Sequence, residues 1–451
     1  MSNTKFSRVL GNRETIALAF GAMIGWGWVV LAGDWIAEAG TLGAISAFLV
    51  GGALVALIGF TYAELASAMP QAGGEHVYSQ RALGKAGSFV CTWAIVLGYV
   101  SVSAFEAVAL PTVMDYLAPG FQYYYLWTVA GWDVYLSWVL IGSLGAVVIA
   151  AVNILGVQPA ARVQQAMLLL LFVGGLLLII GAFANGSRDN LQPLFDKGLP
   201  GIAAVVMMVP FMLVGFDVIP QAAEEIDLPR KRIGTVLVVS VLMAVAWYVL
   251  IIIGAGLALD ADQRSDADLV VAESASGLWN GSWAGTLLVV AGIGGIITSW
   301  NAFVIGGSRA IYAMAHSGQL PAFLGRLHPR YHTPVNAILL IGALSALAPL
   351  LGRKALVWLV NAGGLGIVVA YGFVAVCFLV LRQREPGMER PFRAGRSQLT
   401  GWLALLASVG LLILYLPGSP SALVWPQEWI IVIGWALLGL ILAALSRVQQ
   451  K

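Results

Sequence analysis

Three carboxyl side chains interrupt long apolar stretches of this chain: Glu64, Glu106 and Asp217. An acid at the centre of a bilayer costs about 2.5–3.5 kcal/mol on insertion scales, so each needs a partner, a proton or a water-filled cavity. The chemistry open to them is binding of a proton or a cation. Glu64 lies near the end of its run and reads as a structural hydrogen-bonding group. Glu106 sits mid-run, in Ser101-Val102-Ser103-Ala104-Phe105-Glu106, where a protonated packing contact and a functional role are equally open. Asp217 directly follows an interruption, and a functional role is the expectation. Asp34 reads as a helix-end residue in water. All four histidines, His76, His316, His328 and His332, fall between apolar runs. No intramembrane histidine relay is therefore expected, and the carboxylates remain as the side-chain proton carriers.

Aromatic faces near an acid make a pocket for an ammonium group. Of the 16 tryptophans, Trp127, Trp132, Trp279, Trp425 and Trp429 fall at run ends and read as interfacial anchors. Trp26, Trp28, Phe211, Phe216 and Trp300 lie at or near the interruptions. For Trp28 and Trp300 plain packing at helix crossings is equally open.

Two runs are interrupted in their middles. The first contains Gly21-Ala22-Met23-Ile24-Gly25-Trp26-Gly27-Trp28, and the sixth runs from Pro210 through Gly215 and Asp217 to Pro220. Glycine and proline both weaken a helix. In hydrocarbon, unwound backbone survives only where it lines a cavity or a ligand. The two runs open residues 14–184 and residues 201–381, and matched interruptions in two halves point to a binding site at the bilayer midplane. Each half holds five runs. Five is odd, so the second half inserts upside down, a 5+5 inverted repeat.

The composition sets the class. Hydrophobic residues make up 60% of the chain and charged residues 10%. Soluble domains carry about 25% charged residues. Apolar runs of roughly 20 residues cross a membrane as helices. Twelve are read, at 14–36, 41–66, 86–117, 134–155, 161–184, 201–224, 233–258, 282–314, 335–352, 355–381, 400–417 and 428–446, the third and eighth long enough to tilt. The expectation is an all-α membrane protein with short termini at 1–13 and 447–451 and two further helices over 400–446. No cleavable leader is read. Of the 24 Lys and Arg, 19 fall on the face that carries both termini, Lys5 and Lys451 included. That bias places both termini in the cytoplasm and the chain in the cytoplasmic membrane. Asp260, Asp262, Asp266, Asp268 and Glu273 then form a solvated outer loop. Cys91 and Cys377 lie in apolar runs, with no disulfide or metal spacing. The net charge of +2 gives no field that would favour nucleic acid.

Several segments resemble the amino acid–polyamine–organocation transporters, which share the leucine-transporter fold. Met23-Ile24-Gly25-Trp26-Gly27 looks like the family's helix 1 break. Tyr62-Ala63-Glu64-Leu65 and Met69-Pro70-Gln71-Ala72-Gly73-Gly74-Glu75-His76-Val77-Tyr78 resemble its signature around helices 2 and 3. Val214-Gly215-Phe216-Asp217, Ala223-Glu224-Glu225-Ile226 and Pro229-Arg230-Lys231-Arg232 match the helix 6 break and its exit. Ser308-Arg309-Ala310-Ile311-Tyr312-Ala313-Met314-Ala315, Gly318-Gln319-Leu320-Pro321, His328-Pro329 and Thr333-Pro334-Val335-Asn336 match the end of helix 8 and the loop beyond it. The resemblance covers about residues 11–382. It implies that backbone N–H groups of the helix 1 break take a substrate carboxylate and that helix 6 carbonyls take an amino group, in keeping with half-helix dipoles.

By that resemblance the substrate site comprises Ile24, Gly25, Trp26, Gly27, Glu106, Phe211, Val214, Gly215, Phe216, Asp217 and Trp300, with Asp217 and Glu106 the coupling candidates. Two departures matter. Trp26 stands where the family has a small residue and should reshape the carboxylate end. Leu171 stands where some members carry a coupling lysine, so coupling through that lysine is not expected. Thr298, Ser299 and Ser308 are the hydroxyls on which a sodium site would draw.

The implied function is a secondary transporter of an amino acid, by proton coupling or exchange. An organic amine or polyamine is the alternative substrate. A channel would need a filter repeat, and an enzyme would need a metal-ligand or phosphate-loop motif; neither is read. No cofactor, metal or nucleic-acid partner is expected. The partners are a small substrate, the bilayer and, as a candidate, protons.

Overall fold

Helices end where glycine and proline break the apolar runs. The computed structural model describes residue 6 and residues 8–267, 269–419 and 421–449; Lys5, Asp268 and Lys451 lie outside them. The first run is a bent pair, α1 (Asn12–Met23) and α2 (Gly27–Ala39), with 42° between them. Next come α3 (Thr41–Ala68) and α4 (Glu75–Leu117). A hairpin of β1 (Tyr125–Val129) and β2 (Trp132–Tyr135) leads to α5 (Leu136–Ile154) and α6 (Val157–Asn185). The sixth run is also interrupted, into α7 (Gly198–Leu213) and the single turn α8 (Val218–Gln221). Beyond it lie α9 (Arg230–Ala258), the short α10 (Ala261–Asp266) and α11 (Val270–Leu278), then α12 (Ser282–His316). The chain finishes with α13 (Val335–Leu347), α14 (Ala355–Arg384), α15 (Leu399–Tyr415) and α16 (Gln427–Gln449).

Among the described residues nine helices are long and apolar enough to cross a membrane, ten if the bent pair counts as one span. Two apolar helices, Val335–Leu351 and Leu399–Tyr415, are shorter. The protein is thus an all-α multi-pass membrane protein apart from one small hairpin, which the sequence reading left out. Trp127 and Trp132 belong to that hairpin. Trp127 is held there by its indole N–H, which donates to the Leu350 carbonyl at 3.0 Å.

Three further expectations are corrected. The third run begins at Glu75 rather than 86, because α4 turns a corner at Gly84 (φ 73°) instead of ending there. Such a φ is open to glycine at little steric cost. His76 is consequently not in a loop. It lies buried in the first turn of α4, with Nδ1 3.0 Å from Ser88 Oγ and 3.2 Å from Thr92 Oγ1. Arg264, which falls within the stretch 260–273 read as a solvated loop, is buried. Its guanidinium donates to the carbonyls of Asn190 (2.7 Å), Leu259 (2.5 Å) and Gln192 (2.6 Å) and clamps the loop before α7 to the end of α9.

α4 runs through the centre of the bundle, packed against α14 and α12, while α3 lies against α9 and α6 against α12. Large apolar side chains such as Leu144, Phe183 and Leu440 cover the outer surface. That is the pattern of a protein solvated by hydrocarbon. Glu64 is buried and holds two arginines: Arg382 Nη2 at 2.5 Å and Arg390 Nε at 3.1 Å. It also accepts from the Ala394 N–H at 2.8 Å. This is the structural role its position suggested.

The stretch before α1 is pinned to the stretch after α8. The N–H groups of Val9 and Leu10 donate to the Glu225 carbonyl at 2.9 and 3.0 Å, and the Asp227 N–H donates to the Leu10 carbonyl at 2.9 Å. The Glu225 carboxyl pairs with Arg309 of α12 at 2.8 Å, both side chains almost wholly buried. Burial raises the proton affinity of Glu225, and the Arg309 charge opposes that rise.

Candidate functional site

The two breaks lie against each other. At the end of α7, Val214 is extended and Gly215 has φ 134°, outside the range L side chains favour. A Cβ on Gly215 would stand 2.7 Å from Ala22 Cβ and 2.9 Å from Met23 N, so only glycine permits the contact. Unwinding frees carbonyls at both breaks. One side chain serves both: the Tyr248 hydroxyl of α9 lies 2.6 Å from the Met23 carbonyl, to which it donates, and 3.2 Å from that of Met212.

Beside the crossing is a small buried cavity of about 20 Å³, lined by Gly25, Glu106, Phe211, Tyr248, Ser299 and neighbouring apolar side chains. That is roughly room for a single water. The Glu106 carboxyl points at the break. A Cβ on Gly25 would stand 2.5 Å from Glu106 Oε1 and 2.9 Å from Ser299 Oγ. The carboxyl faces the Ser299 hydroxyl and the backbone N–H of Trp26, at the N-terminus of α2. A half-helix N-terminus attracts anions, so the protein's own carboxylate occupies the anion-favouring end. The second oxygen, Oε2, has no hydrogen-bond partner among the described residues. Phe211 closes another wall and meets Phe105 edge-on, centroids 5.9 Å apart.

Of the residues expected at the site, Gly25, Gly27, Glu106 and Phe211 line this cavity. The side chains of the others point elsewhere. The Trp26 ring packs on α12, where a Cβ on Gly292 would come within 2.0 Å of it. Gly292 thus makes room for the indole, and the Trp26 ring is not among the groups that line the cavity. Trp300 turns toward Gly145 of α5. Trp28 meets Trp247 edge-on at 5.7 Å. Ile24 and Val214 are buried in the core. Phe216 lies between Tyr62 and Tyr371, at 5.3 and 5.6 Å. Asp217 accepts from the Gly215 N–H at 2.8 Å, with its other oxygen unpartnered among the described residues. Asp217 is therefore apart from Glu106, on the α8 side of the break.

Met212, Tyr248 and Phe303 line the cavity without having been anticipated. The apolar walls carried no sequence signal. Tyr248 did, as the one tyrosine within the apolar run 233–258. On α12, Thr298 and Ser308 donate to the carbonyls of their own helix, Gly295 and Ile305, each at 3.0 Å. Leu171 packs beside Gly295, whose own Cβ would come within 2.4 Å of the Gly25 carbonyl.

With this geometry in hand, comparisons give the chain relatives. A family profile described as amino acid permease matches residues 10–441. A branched-chain amino acid permease of Bacillus subtilis is 27% identical, covering 98% of this chain and 94% of the relative. A methylthioribose transporter of the same organism is 27% identical over 86% of this chain and 84% of its own length. Human cationic amino acid transporter 4 is 27% identical over 90% of this chain and 66% of its length.

Proposed function

The chain belongs to the amino acid permease family, a family of membrane transporters and not of enzymes, and on that premise we propose a mechanism for its transport of an amino acid. The cavity at the crossed breaks is the substrate site, opened alternately to the two sides of the cell membrane. The carrying observation is the unwound stretch of the first span closed over by Glu106 and Phe211. Twelve spans in a 5+5 inverted repeat, 14–184 and 201–381, with both termini in the cytoplasm, form the frame of this reading. The two short apolar helices complete the twelve. A cavity of about 20 Å³ cannot hold an amino acid, so loading requires the half-helices to swing apart.

Within the site, a substrate carboxylate would take the α2 N-terminus, and freed carbonyls near Leu213 would take the amino group. Glu106 already faces that N-terminus, so a zwitterion must displace it or meet it protonated. This favours proton-coupled entry, with Glu106 and Asp217 as candidate carriers; exchange is the alternative. The same observation supports an organic amine as the second reading. An ammonium ion would pair with Glu106 under the rings of Phe105 and Phe211 without displacing anything.

A thermal-shift screen of the purified protein against amino acids and amines tests the assignment, because a ligand bound only by the folded state stabilises it by mass action. Stabilisation by an α-amino acid, lost in Gly25→Ala, is the expected result. Stabilisation by amines alone moves the substrate to the second reading. Stabilisation by an amino acid that persists unchanged in Gly25→Ala removes the site from this cavity.

A further inference from the structure

On the far side of the Gly215 break from the cavity lies a second polar cluster, buried and lined by oxygen. Asp217 and Glu75 both enter it, from the start of α8 and the start of α4, each with relative exposure of 0%. Gln221, in the single turn that Asp217 caps, hydrogen-bonds to Glu75 and so brings the start of α4 against the start of α8. Each has one oxygen engaged. The Gly215 N–H donates to Asp217 Oδ1, and the Gln221 amide donates to Glu75 Oε2. Each has one oxygen with no hydrogen-bond partner among the described residues, Glu75 Oε1 and Asp217 Oδ2. The hydroxyls of Tyr62, Tyr78, Tyr99 and Tyr371 and the Gln221 carbonyl oxygen are buried and unpartnered in the same way. Tyr62 faces Glu75, and Tyr99 faces Asp217. Buried polar atoms are normally paired, and a concentration of unpaired ones marks a place for water or a small ion.

Charge limits what that occupant is. The titratable groups that face the two acids are Tyr62 from α3, Tyr78, Cys91 and Tyr99 from α4 and Tyr371 from α14, all neutral at ordinary pH. On α12, which packs against α8, Arg309 is taken up by Glu225 and Ser308. His76, beside Glu75 in sequence, turns to Ser88 and Thr92. Among the described residues, therefore, no cation neutralises the pair. Two neighbouring carboxylates without a cation do not both ionise.

We propose that Glu75 and Asp217 form a proton-binding pair, separate from the substrate cavity, that shares one proton between two carboxyl groups. Glu75 is thereby a coupling residue alongside Asp217, and the inference rests on the transporter reading for what the proton is coupled to. The shared proton ties Glu75 of α4 to Asp217 at the start of α8, beside the hydrogen bond that Gln221 donates to Glu75. Its loss places two negative charges across that contact and drives the two helices apart. Release of the proton and release of α8 from α4 are then one event, set by the same two side chains.

The test uses purified full-length protein in detergent, without substrate. Its unfolding midpoint is followed from about pH 5 to about pH 9, in choline chloride and in sodium chloride, since a proton bound only by the folded state appears as pH-dependent stability. Wild type should show a one-proton step. Glu75→Gln and Asp217→Asn each remove the like charge that strengthens the remaining acid. Each should weaken proton binding at least roughly tenfold, moving the step down by about one pH unit, and the double variant should lose it. If one single variant abolishes the step and the other leaves it in place, a lone acid is responsible and the pair is overturned. If sodium in place of choline stabilises wild type but not the double variant, the site holds a metal cation and the proposal fails. Should Glu75→Gln not fold, Tyr99→Phe stands in. It removes a hydroxyl that faces the ionised pair and should move the step to higher pH; an unmoved step counts against the pair. A parallel thermal-shift arm with L-leucine and L-arginine separates the two readings. Ligand stabilisation that survives in the double variant leaves the substrate cavity intact whatever the pH step does. Its absence from wild type bears on the substrate reading alone.

Discussion

The Tyr248 hydroxyl lies 2.6 Å from the Met23 carbonyl, to which it donates, and 3.2 Å from that of Met212. One side chain on an unbroken helix thus serves the carbonyl ends of both broken ones. In hydrocarbon those carbonyls have no water to turn to. Tyr248→Phe keeps the ring and removes only the donor. Leaving a buried acceptor unsatisfied costs about 1–3 kcal/mol, so the unfolding midpoint should fall measurably. An unchanged midpoint would mean that water reaches the crossing and takes the hydroxyl's place.

The two glycines of the first break should not be equivalent. A methyl at Gly25 meets Glu106 Oε1 at 2.5 Å and Ser299 at 2.9 Å, whereas one at Gly27 meets the flexible Met212 sulfur at 2.8 Å. Met212 can swing away; the carboxyl held at the α2 N-terminus cannot do so without losing that position. Gly25→Ala should abolish uptake in proteoliposomes, and Gly27→Ala should reduce it less. Equal losses in two well-folded proteins would contradict this ordering.

Phe211 closes the cavity by the area of its ring. Phe211→Ala should weaken ligand binding more than Phe211→Trp, which keeps an aromatic face at the price of crowding Gly363, whose own Cβ would stand 3.0 Å from Phe211 Cε2. Affinity from thermal-shift titrations checks this. Identical affinities for both variants would assign Phe211 to packing against Phe105 and Gly363 alone.

Glu106 separates the two substrate readings. If an ammonium ion pairs with its carboxylate, Glu106→Gln should lose stabilisation by amines roughly tenfold or more, as expected for a charge-assisted contact worth about 1.5–3 kcal/mol. If instead a zwitterion displaces the carboxylate, the same variant should bind amino acids with a flattened pH dependence. An unaltered ligand profile and pH dependence in Glu106→Gln would remove Glu106 from both roles.

Glu64 is predicted to matter for stability rather than transport selectivity. Arg382 and Arg390 converge on it with side-chain exposures of 11% and 7%. Removing one partner of a buried ion pair costs about 3–5 kcal/mol. Glu64→Ala should therefore lower the folded yield and the thermal midpoint sharply. Retention of wild-type stability would show the two arginines finding water.

Both breaks were legible because glycine, proline and an acid within apolar runs have few physical explanations. Their mutual contact was not. It depends on Gly215 meeting Ala22 and Met23, residues far apart in the chain, and nothing local encodes that distance. Glu106 and Phe211, singled out by charge and by position, both line the cavity. The direction of the Trp26 ring was not legible, because nothing local shows that Gly292 of α12 faces the break and receives the indole. Glu75 went unremarked because the third run is read from 86, which leaves this acid in the connection before it. Only packing brought it to Asp217. The hairpin over Tyr125–Tyr135 was lost among residues that also suit a membrane interface.

The ladder of hydrogen bonds joining Val9 and Leu10 to the stretch around Glu225 has a mechanical meaning. It lashes the α1 arm of one broken span to the α8 arm of the other, with the Glu225–Arg309 pair as the bolt that fastens both to α12. The two arms then have no independent travel. They share one crossing, where Gly215 meets Ala22 and Met23. Breaking the Glu225–Arg309 pair would then release both arms from α12 together rather than one at a time.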